Sequence, residues 1–425
     1  MPFETVFTMD TSSIKVGAGA TREVGADMAR FGARRVMVLT DANLRDSHPL
    51  LTTLAALRAA GIDAVLYDGV RVEPTDVSFK DAIRFASDGG FDGFVAVGGG
   101  SVMDTAKAAN LYSTYPADFL DYVNPPIGRG QPVPGPVKPL IAIPTTAGTG
   151  SEATGVAIFD FLEMHAKTGI ANRALRPVLG ILDPENTRTM PKAIAAASGL
   201  DVLSHAIESL TALPYQQRPA PESPVMRPAY QGANPISDIW ASKSAELVAA
   251  NIVRAVHDPE DDEARGQMQL AAAFDGIGFG SAGVHLPHGM SYPVSGMVRD
   301  YRPAGVNVDH PIIPHGMSVI LNAPAVFRFT APANPQRHLY AAGLIGADTR
   351  DAAPEDGGEL IARRLIEIMQ QIGVPNGLAA IGFHESDIDA LVEGTLPQHR
   401  VTKLSPRPAS AADLRQLFRD SLVIW

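Results

Sequence analysis

Two rhythms divide the chain. Up to about residue 190, short runs of β-branched and other apolar residues alternate with segments of helical spacing. Residues 35–40 (RVMVLT) read as a strand, 50–60 as a helix, 63–67 as a strand and 78–88 as a helix. Residues 93–97 (GFVAV) read as a strand, followed by the helix-like VMDTAKAANLY; further β-runs fall at 140–143, 155–159 and 178–182. Strands and helices in alternation predict a parallel sheet covered on its faces. Past Pro191 the spacing turns helical, over 193–210, 237–256, 263–274, 315–329 and 359–372. The last is the clearest, with Leu360, Ile361, Leu365, Ile368, Met369 and Ile372 on one face. The expected architecture is α/β plus all-α: a Rossmann-like, parallel-sheet nucleotide-binding domain over residues 1–190, then an all-helical metal-binding and catalytic domain over 191–425. Proline-rich stretches at 116–139 and 214–235 read as ordered loops.

Two stretches carry candidate chemistry. In residues 199–210 (GLDVLSHAIESL), Leu200, Leu203, Ile207 and Leu210 form an apolar stripe, and Asp201 and His205 stack one turn apart beside it. Alone, such a pair is more often a surface pair or an internal hydrogen bond than half of a divalent-metal site. The other half is offered by His288 and His315, each in a Pro-His-Gly-Met turn. The second stretch is Gly98-Gly99-Gly100-Ser101, between a strand and a helix. Three glycines let backbone amides approach a phosphate at a helix N-terminus, while Ser101 with Asp104 would equally form a capping box.

Composition narrows the chemistry. The chain has 425 residues, 45% apolar and 19% charged, enough for two cores. It has no cysteine, so any metal must take nitrogen and oxygen donors. A net charge of -11 and the lack of a basic, aromatic-studded run argue against nucleic acid as a partner. No apolar run approaches the roughly 20 residues that span a bilayer, so no membrane role is expected. The N-terminal residues, with Glu4 and Asp10, match neither a secretory signal nor a transit peptide. A cytoplasmic location is expected, or the mitochondrial matrix if a presequence has been removed.

Taken together, GGGSxxDxAK at 98–107, PTTAGTGSE at 144–152, the Asp201-x-x-x-His205 pair and the two later PHG histidines resemble the iron-containing (group III) alcohol dehydrogenase family. That family has the dehydroquinate synthase-like architecture. VRVEPTD at 70–76, RPAYQGANPISDIWA at 227–241, GVHLPHGMSYPVSG at 283–296 and GTLPQHRVTKLSPRP near the C-terminus resemble one branch of it, which passes hydride between hydroxy acids and oxo acids. The resemblance implies a divalent ion, iron usually and zinc sometimes, on Asp201, His205, His288 and His315. It implies NAD on Gly98, Gly99, Gly100, Ser101, Asp104, Thr145, Thr146, Thr149 and Lys167. Asp41 holds the ribose position that favours NAD over NADP, the lesser alternative being a cap on the following turn. The implied reaction converts 4-hydroxybutanoate and 2-oxoglutarate to succinate semialdehyde and (R)-2-hydroxyglutarate through bound NAD; the alternative is a dehydrogenase that exchanges its NAD each turn. Small hydroxy and oxo acids are the expected partners, in a homo-oligomer. Where common members of the family carry a further histidine, four residues past the third ligand, this chain has Tyr292, and His285 precedes the ligand instead; either could conduct the proton. Arg218, Arg227, Arg299 and Arg302 are candidate anchors for the substrate carboxylates, and His310 reads as a surface-loop residue.

Overall fold

The computed structural model describes residues 3–164 and 166–425. One unit, Asp10–Met190, is built on six strands: β1 (Ser13–Val16), β2 (Arg35–Asp41), β3 (Asp63–Val70), β4 (Gly93–Gly98), β5 (Leu140–Pro144) and β8 (Leu179–Leu182). They pair in the order β1-β8-β5-β4-β2-β3, every pairing parallel. Alternate side chains go to opposite faces. Val36, Val38, Val95 and Val97 meet Met28, Leu50 and Leu57 of α1 (Val24–Arg30) and α2 (His48–Ala59). Met37, Leu39, Phe94 and Ala96 meet Ala82, Met103 and Ala106 of α3 (Asp76–Gly89) and α4 (Gly100–Thr114). Both faces being covered, β4 is buried along its whole length, which is why it reads as an unbroken apolar run.

The run at 155–159 does not extend this sheet. It becomes β6 (Val156–Phe161), which pairs antiparallel with β7 (Ala166–Ala171) in a separate hairpin. Phe159 and Ile170 of that hairpin pack with Phe79 and Leu111 and with Tyr122 of the short α5 (Phe119–Tyr122). The proline-rich loop is pinned by Asn110, whose side chain donates to Lys138 O at 2.7 Å and accepts from Lys138 N at 3.2 Å.

The other unit is helical: α6 (Lys192–Thr211), α7 (Pro235–His257), α8 (Asp262–Ala282), α9 (Leu286–Gly296), α10 (His315–Ile320), α11 (Ala323–Thr330), α12 (Pro335–Leu344), α13 (Gly357–Ile372), α14 (Ile388–Thr395), α15 (His399–Thr402) and α16 (Ala411–Leu422). α6 is its axis, buried at every position from Gly199 to Thr211, and it packs against α7, α8 and α10. Three expectations are corrected here. The segment 315–329 is two helices, not one, because α10 ends at Ile320 and α11 starts afresh at Ala323 with Pro324 in its first turn. The Pro-His-Gly-Met segments are not turns but the first turns of α9 and α10, where a proline costs no hydrogen bond. α8 runs past Phe274 to Ala282; its glycines are tolerated because a Cβ at Gly278 would come within 3.2 Å of Ala241 N on α7.

The opening segment, residues 3–9, expected with the α/β part, packs with Pro191–Trp425 instead. Its polar groups find their partners there: Glu4 N donates to Arg218 O at 2.8 Å and Thr8 N to Gln231 Oε1 at 2.9 Å. Among the described residues no helix is long and apolar enough to cross a membrane.

Candidate metal and nucleotide sites

The strand order reverses at β2. The chain runs outward from β2 to β3 and returns to β4 on the other side, so the carboxyl ends of β2 and β4 flank a switch point, where open parallel sheets bind ligands. Asp41 ends β2, and Gly98 ends β4. Thr40 Oγ1 donates to Val97 O at 2.9 Å and Thr145 N to Gly98 O at 3.1 Å, which ties neighbouring strand ends together. A Cβ would lie 2.4 Å from Val102 at Gly98, 3.3 Å from Thr146 at Gly99 and 2.8 Å from Thr149 at Gly100, so these three glycines bring Thr146 and Thr149 against the start of α4. The capping-box alternative is not realised: Gly99 is the N-cap, and no side chain caps α4. Ser101 Oγ instead accepts from Glu73 N at 3.2 Å. Asp104 accepts from Ser151 Oγ at 2.6 Å and Ile158 N at 2.9 Å.

Two predicted cofactor residues are engaged within the fold. Asp41 caps the next turn, accepting from Asn43 N at 2.9 Å, and burial raises its pKa. Lys167, 3% exposed, is held between Glu73 Oε2 at 2.7 Å and Asp160 Oδ1 at 3.1 Å. Its burial is outweighed by those two carboxylates, and its pKa rises well above the usual lysine range.

In the helical unit the three predicted imidazoles converge on one atom of the fourth predicted donor, Asp201. Asp201 Oδ1 lies 3.5 Å from His288 Nε2, 3.6 Å from His205 Nε2 and 3.8 Å from His315 Nε2. The donor atoms of Asp201, His288 and His315 all lie within 4.8 Å of one another, and the His205 and His288 rings stack at 4.6 Å. Local sequence brings this about: Asp201 and His205 are one turn apart on α6, and each Pro-His start points a ring from the first turn of α9 or α10. Gly316 lets α10 close on α6, since a Cβ there would sit 2.0 Å from Ala197 O. Asp201 Oδ1 and His288 Nε2 are buried and make no hydrogen bond among the described residues. Two such atoms facing each other in a set of one carboxylate and three imidazoles fit a divalent cation.

A second layer fixes the rings. His288 Nδ1 donates to Glu208 Oε2 at 2.5 Å, while Glu208 Oε1 accepts from the backbone N of His285 at 2.8 Å and of His288 at 3.3 Å. His205 Nδ1 donates to Asp275 Oδ2 at 2.7 Å. Each carboxylate can only accept, so it holds the proton on Nδ1 and turns Nε2 toward Asp201. Burial opposes charge throughout. It pushes His205 down to about 3, but at His288 Glu208 and Asp201 outweigh it and lift the pKa to about 10. Burial would also raise Asp201, yet the facing imidazoles hold it far below the usual carboxylate range. Glu208 and Asp275 were not among the sequence candidates. A charged residue inside an apolar helical run, as in HAIESL and AAFDGI, was the available signal.

The two candidate proton carriers differ. Tyr292, one turn past His288, stacks its ring on His315 at 6.5 Å, and its hydroxyl accepts from Arg400 Nη2 at 2.6 Å. His285 is fully buried and turned away, Nε2 meeting Thr211 Oγ1 at 3.0 Å, and burial drops its pKa to about 4. The four candidate arginines have partners: Arg218 with Tyr230 O, Arg227 with Glu4, Arg299 with Asp387, and Arg302 with Val308 O and Asp309 O. His310 pairs with Asp309, outside the donor cluster.

A carboxylate and three imidazoles in one unit and a phosphate-type helix start in the other define a class, the nucleotide-using metal dehydrogenases, and comparison with known proteins agrees. Residues 11–184 match the iron-containing alcohol dehydrogenase model, and residues 229–422 match the C-terminal model of the Fe-containing alcohol dehydrogenase family. The chain belongs to the iron-containing alcohol dehydrogenase family. It is 56% identical over 421 residues to the mitochondrial hydroxyacid-oxoacid transhydrogenase of Bos taurus, covering 99% of this chain and 90% of that one. The protein of the same name in Homo sapiens is 55% identical over 421 residues, with the same coverage. Among solved structures, a 1,3-propanediol oxidoreductase superposes with a TM-score of 0.86 at 26% identity, covering 98% of this chain and 100% of that one. Sulfoacetaldehyde reductase from Bifidobacterium kashiwanohense, solved in complex with NAD+, gives 0.80 at 25% identity and 98% coverage of both chains. The chain is an oxidoreductase acting on CH–OH groups, in a family that implies NAD and a divalent metal ion.

Proposed function

We propose that the chain is a hydroxyacid-oxoacid transhydrogenase, converting 4-hydroxybutanoate and 2-oxoglutarate to succinate semialdehyde and (R)-2-hydroxyglutarate with NAD retained between the two halves. The observation that carries this reading is identity of 55–56% over 99% of the chain with enzymes of that name. Asp201, His205, His288 and His315 hold the divalent ion, iron by the family's habit and zinc as the alternative. The amides of Gly98–Ser101 with Thr145, Thr146 and Thr149 receive the pyrophosphate; Asp41 takes the ribose, while Asp104 and Lys167 brace the loops around it. When bound, the ion supplies Lewis acidity to a hydroxyl or carbonyl oxygen, and NAD accepts or returns the hydride.

The chain's own residues do the rest. Asp201 supplies the negative charge that a divalent cation requires. Glu208 and Asp275 keep the imidazoles in the tautomer whose Nε2 can donate a lone pair. Phe279, stacked on His205 at 4.0 Å, shields that donor from water. Tyr292 moves the proton: its oxygen accepts from Arg400, which leaves its own O–H to donate toward the reacting oxygen. The named relatives are mitochondrial. Where the host cell has mitochondria this favours the matrix; elsewhere the reaction belongs to the cytoplasm.

The test omits free NAD. Metal-loaded protein is incubated with 4-hydroxybutanoate and 2-oxoglutarate, and 2-hydroxyglutarate is counted per enzyme. Many turnovers support the transhydrogenase. Product only on addition of NAD, with NADH accumulating when the oxo acid is withheld, replaces it with the dehydrogenase that exchanges its cofactor.

A further inference from the structure

The two acids of the proposed reaction share a spacing. In 4-hydroxybutanoate the reacting C4 is three carbon–carbon bonds from the carboxyl carbon, and in 2-oxoglutarate the reacting C2 is three such bonds from the distal carboxyl carbon. One cation at a fixed place relative to the metal donors would align either substrate in turn. The four arginines expected from sequence are already engaged with other groups.

We propose that Arg400 is that cation, binding the carboxylate that lies three carbon–carbon bonds from the reacting carbon of each substrate. The inference rests on the function proposed above. Arg400 lies in α15, and its Nη2 donates to Tyr292 Oη at 2.6 Å. Its guanidinium lies over the Tyr230 ring at 5.0 Å. Its Nη1 is buried with no hydrogen-bond partner, and no carboxylate pairs with Arg400 among the described residues. A guanidinium set over the Tyr230 ring and bonded to the Tyr292 hydroxyl is favoured by both but left, at Nη1, with donor capacity that an entering carboxylate would use. Tyr292 links it to the donors, since its ring stacks on His315 and it stands one turn beyond His288.

The backbone is shaped to bring this segment close. A Cβ on Gly289, beside His288, would lie 2.7 Å from Thr402 Cγ2. One on Gly283 would lie 2.5 Å from Leu404 Cδ1, and Leu213 N donates to Leu404 O at 2.7 Å. Residues 400–404 are thereby clamped against the start of α9, and the arginine is carried to Tyr292, one turn beyond His288.

The test compares 4-hydroxybutanoate with 1-butanol, which has the same carbon chain and no carboxylate, in the wild type and in Arg400→Ala, Arg400→Gln and Arg400→Lys. The wild-type preference in kcat/KM for the acid should fall by about 100-fold in the alanine and glutamine variants, chiefly through KM, and recover in part with lysine. Glutarate, an unreactive dicarboxylate, should bind the metal-loaded wild type in calorimetry and lose that binding in the same variants. If the alanine variant does not fold, the glutamine variant, close in size, decides. An undiminished preference, equal losses for both alcohols, or glutarate bound as in the wild type overturns the proposal. Glutarate binding that depends on Arg400 in a protein that cannot reduce 2-oxoglutarate sinks the functional reading and leaves the anchor. Transhydrogenation with an unchanged preference in Arg400→Gln sinks the anchor and leaves the function.

Discussion

Replacing Glu208 by glutamine should weaken metal binding although Glu208 is not itself a donor. Its carboxylate accepts from three donors: two backbone N–H groups and His288 Nδ1–H. A glutamine is the same size but has one accepting oxygen and one donating nitrogen. If the oxygen serves the backbone, the amide N–H2 faces His288 Nδ1–H, donor against donor. The ring can relieve this by moving its proton to Nε2, which removes the lone pair aimed at the Asp201 cluster, or by turning away. Loss of a partner of this kind typically costs 10–100-fold in metal affinity, about 1.4 to 2.8 kcal/mol. Because Glu208 is 0% exposed, no water is at hand to substitute. The assay is a competition titration of Fe2+ or Zn2+ against a chelator, with a melting curve of the metal-free protein alongside. Affinity within two-fold of the wild type in a folded Glu208→Gln variant would refute the second-layer reasoning.

Lys167→Met should leave Glu73 and Asp160 facing each other without their shared cation, and destabilise the sheet unit by about 3–5 kcal/mol in denaturant unfolding; a change below about 1 kcal/mol would show that the trio is not coupled. Gly100→Ala puts a Cβ 2.8 Å from Thr149 Cγ2 at the start of α4, so NAD affinity, followed by nicotinamide fluorescence, should fall by about ten-fold or more while bound metal per chain stays as in the wild type. His338 is fully buried, contacts Thr330 Oγ1 at 2.9 Å, and has its pKa pushed down by burial to about 4. The unfolded chain therefore takes up a proton near 6.5 that the native protein refuses until about 4, so stability is lost as pH falls through that interval, by up to about 3 kcal/mol. His338→Asn should flatten the slope of stability against pH between those values; an unchanged slope would assign it to other groups.

The sequence was most legible where one kind of interaction decides the outcome. Parallel strands buried on both faces must be apolar throughout, so β2, β4 and β5 stood out, whereas β1 and β7 did not. SIKV lies at the sheet edge, half of its residues exposed, and AKTGIA forms its ladder only because β6 lies beside it. Helix 315–329 was drawn too long because periodicity carries through a break that Pro324 permits without spoiling the apolar stripe. The candidate metal donors were readable because Asp201 and His205 are local to one helix, and the PHG pair repeats itself. Their supports were not, because pairing Glu208 with His288 or Asp275 with His205 is a contact across 70 residues or more, and only tertiary packing makes it.

The missed residues share a property from which the site can be understood. Among Glu208, Asp275 and Arg400, none has the surface neighbours that charged residues normally use. Glu208 and Asp275 are buried in apolar helices, and Arg400, half-buried with its Nη1 out of reach of solvent, lies against Tyr230 and Tyr292. Burying a charge is costly unless something compensates it. For the two carboxylates the compensation is internal, since each accepts from a ring nitrogen of a predicted metal ligand. For Arg400 the neighbours are two tyrosines, with no countercharge among the described residues. Glu208 is thus complete as the chain folds, with three donors on its two oxygens, which suits a group that must hold a metal site rigid through both half-reactions. The guanidinium is completed only by an anion from outside, which suits a group that must release one acid and accept the next.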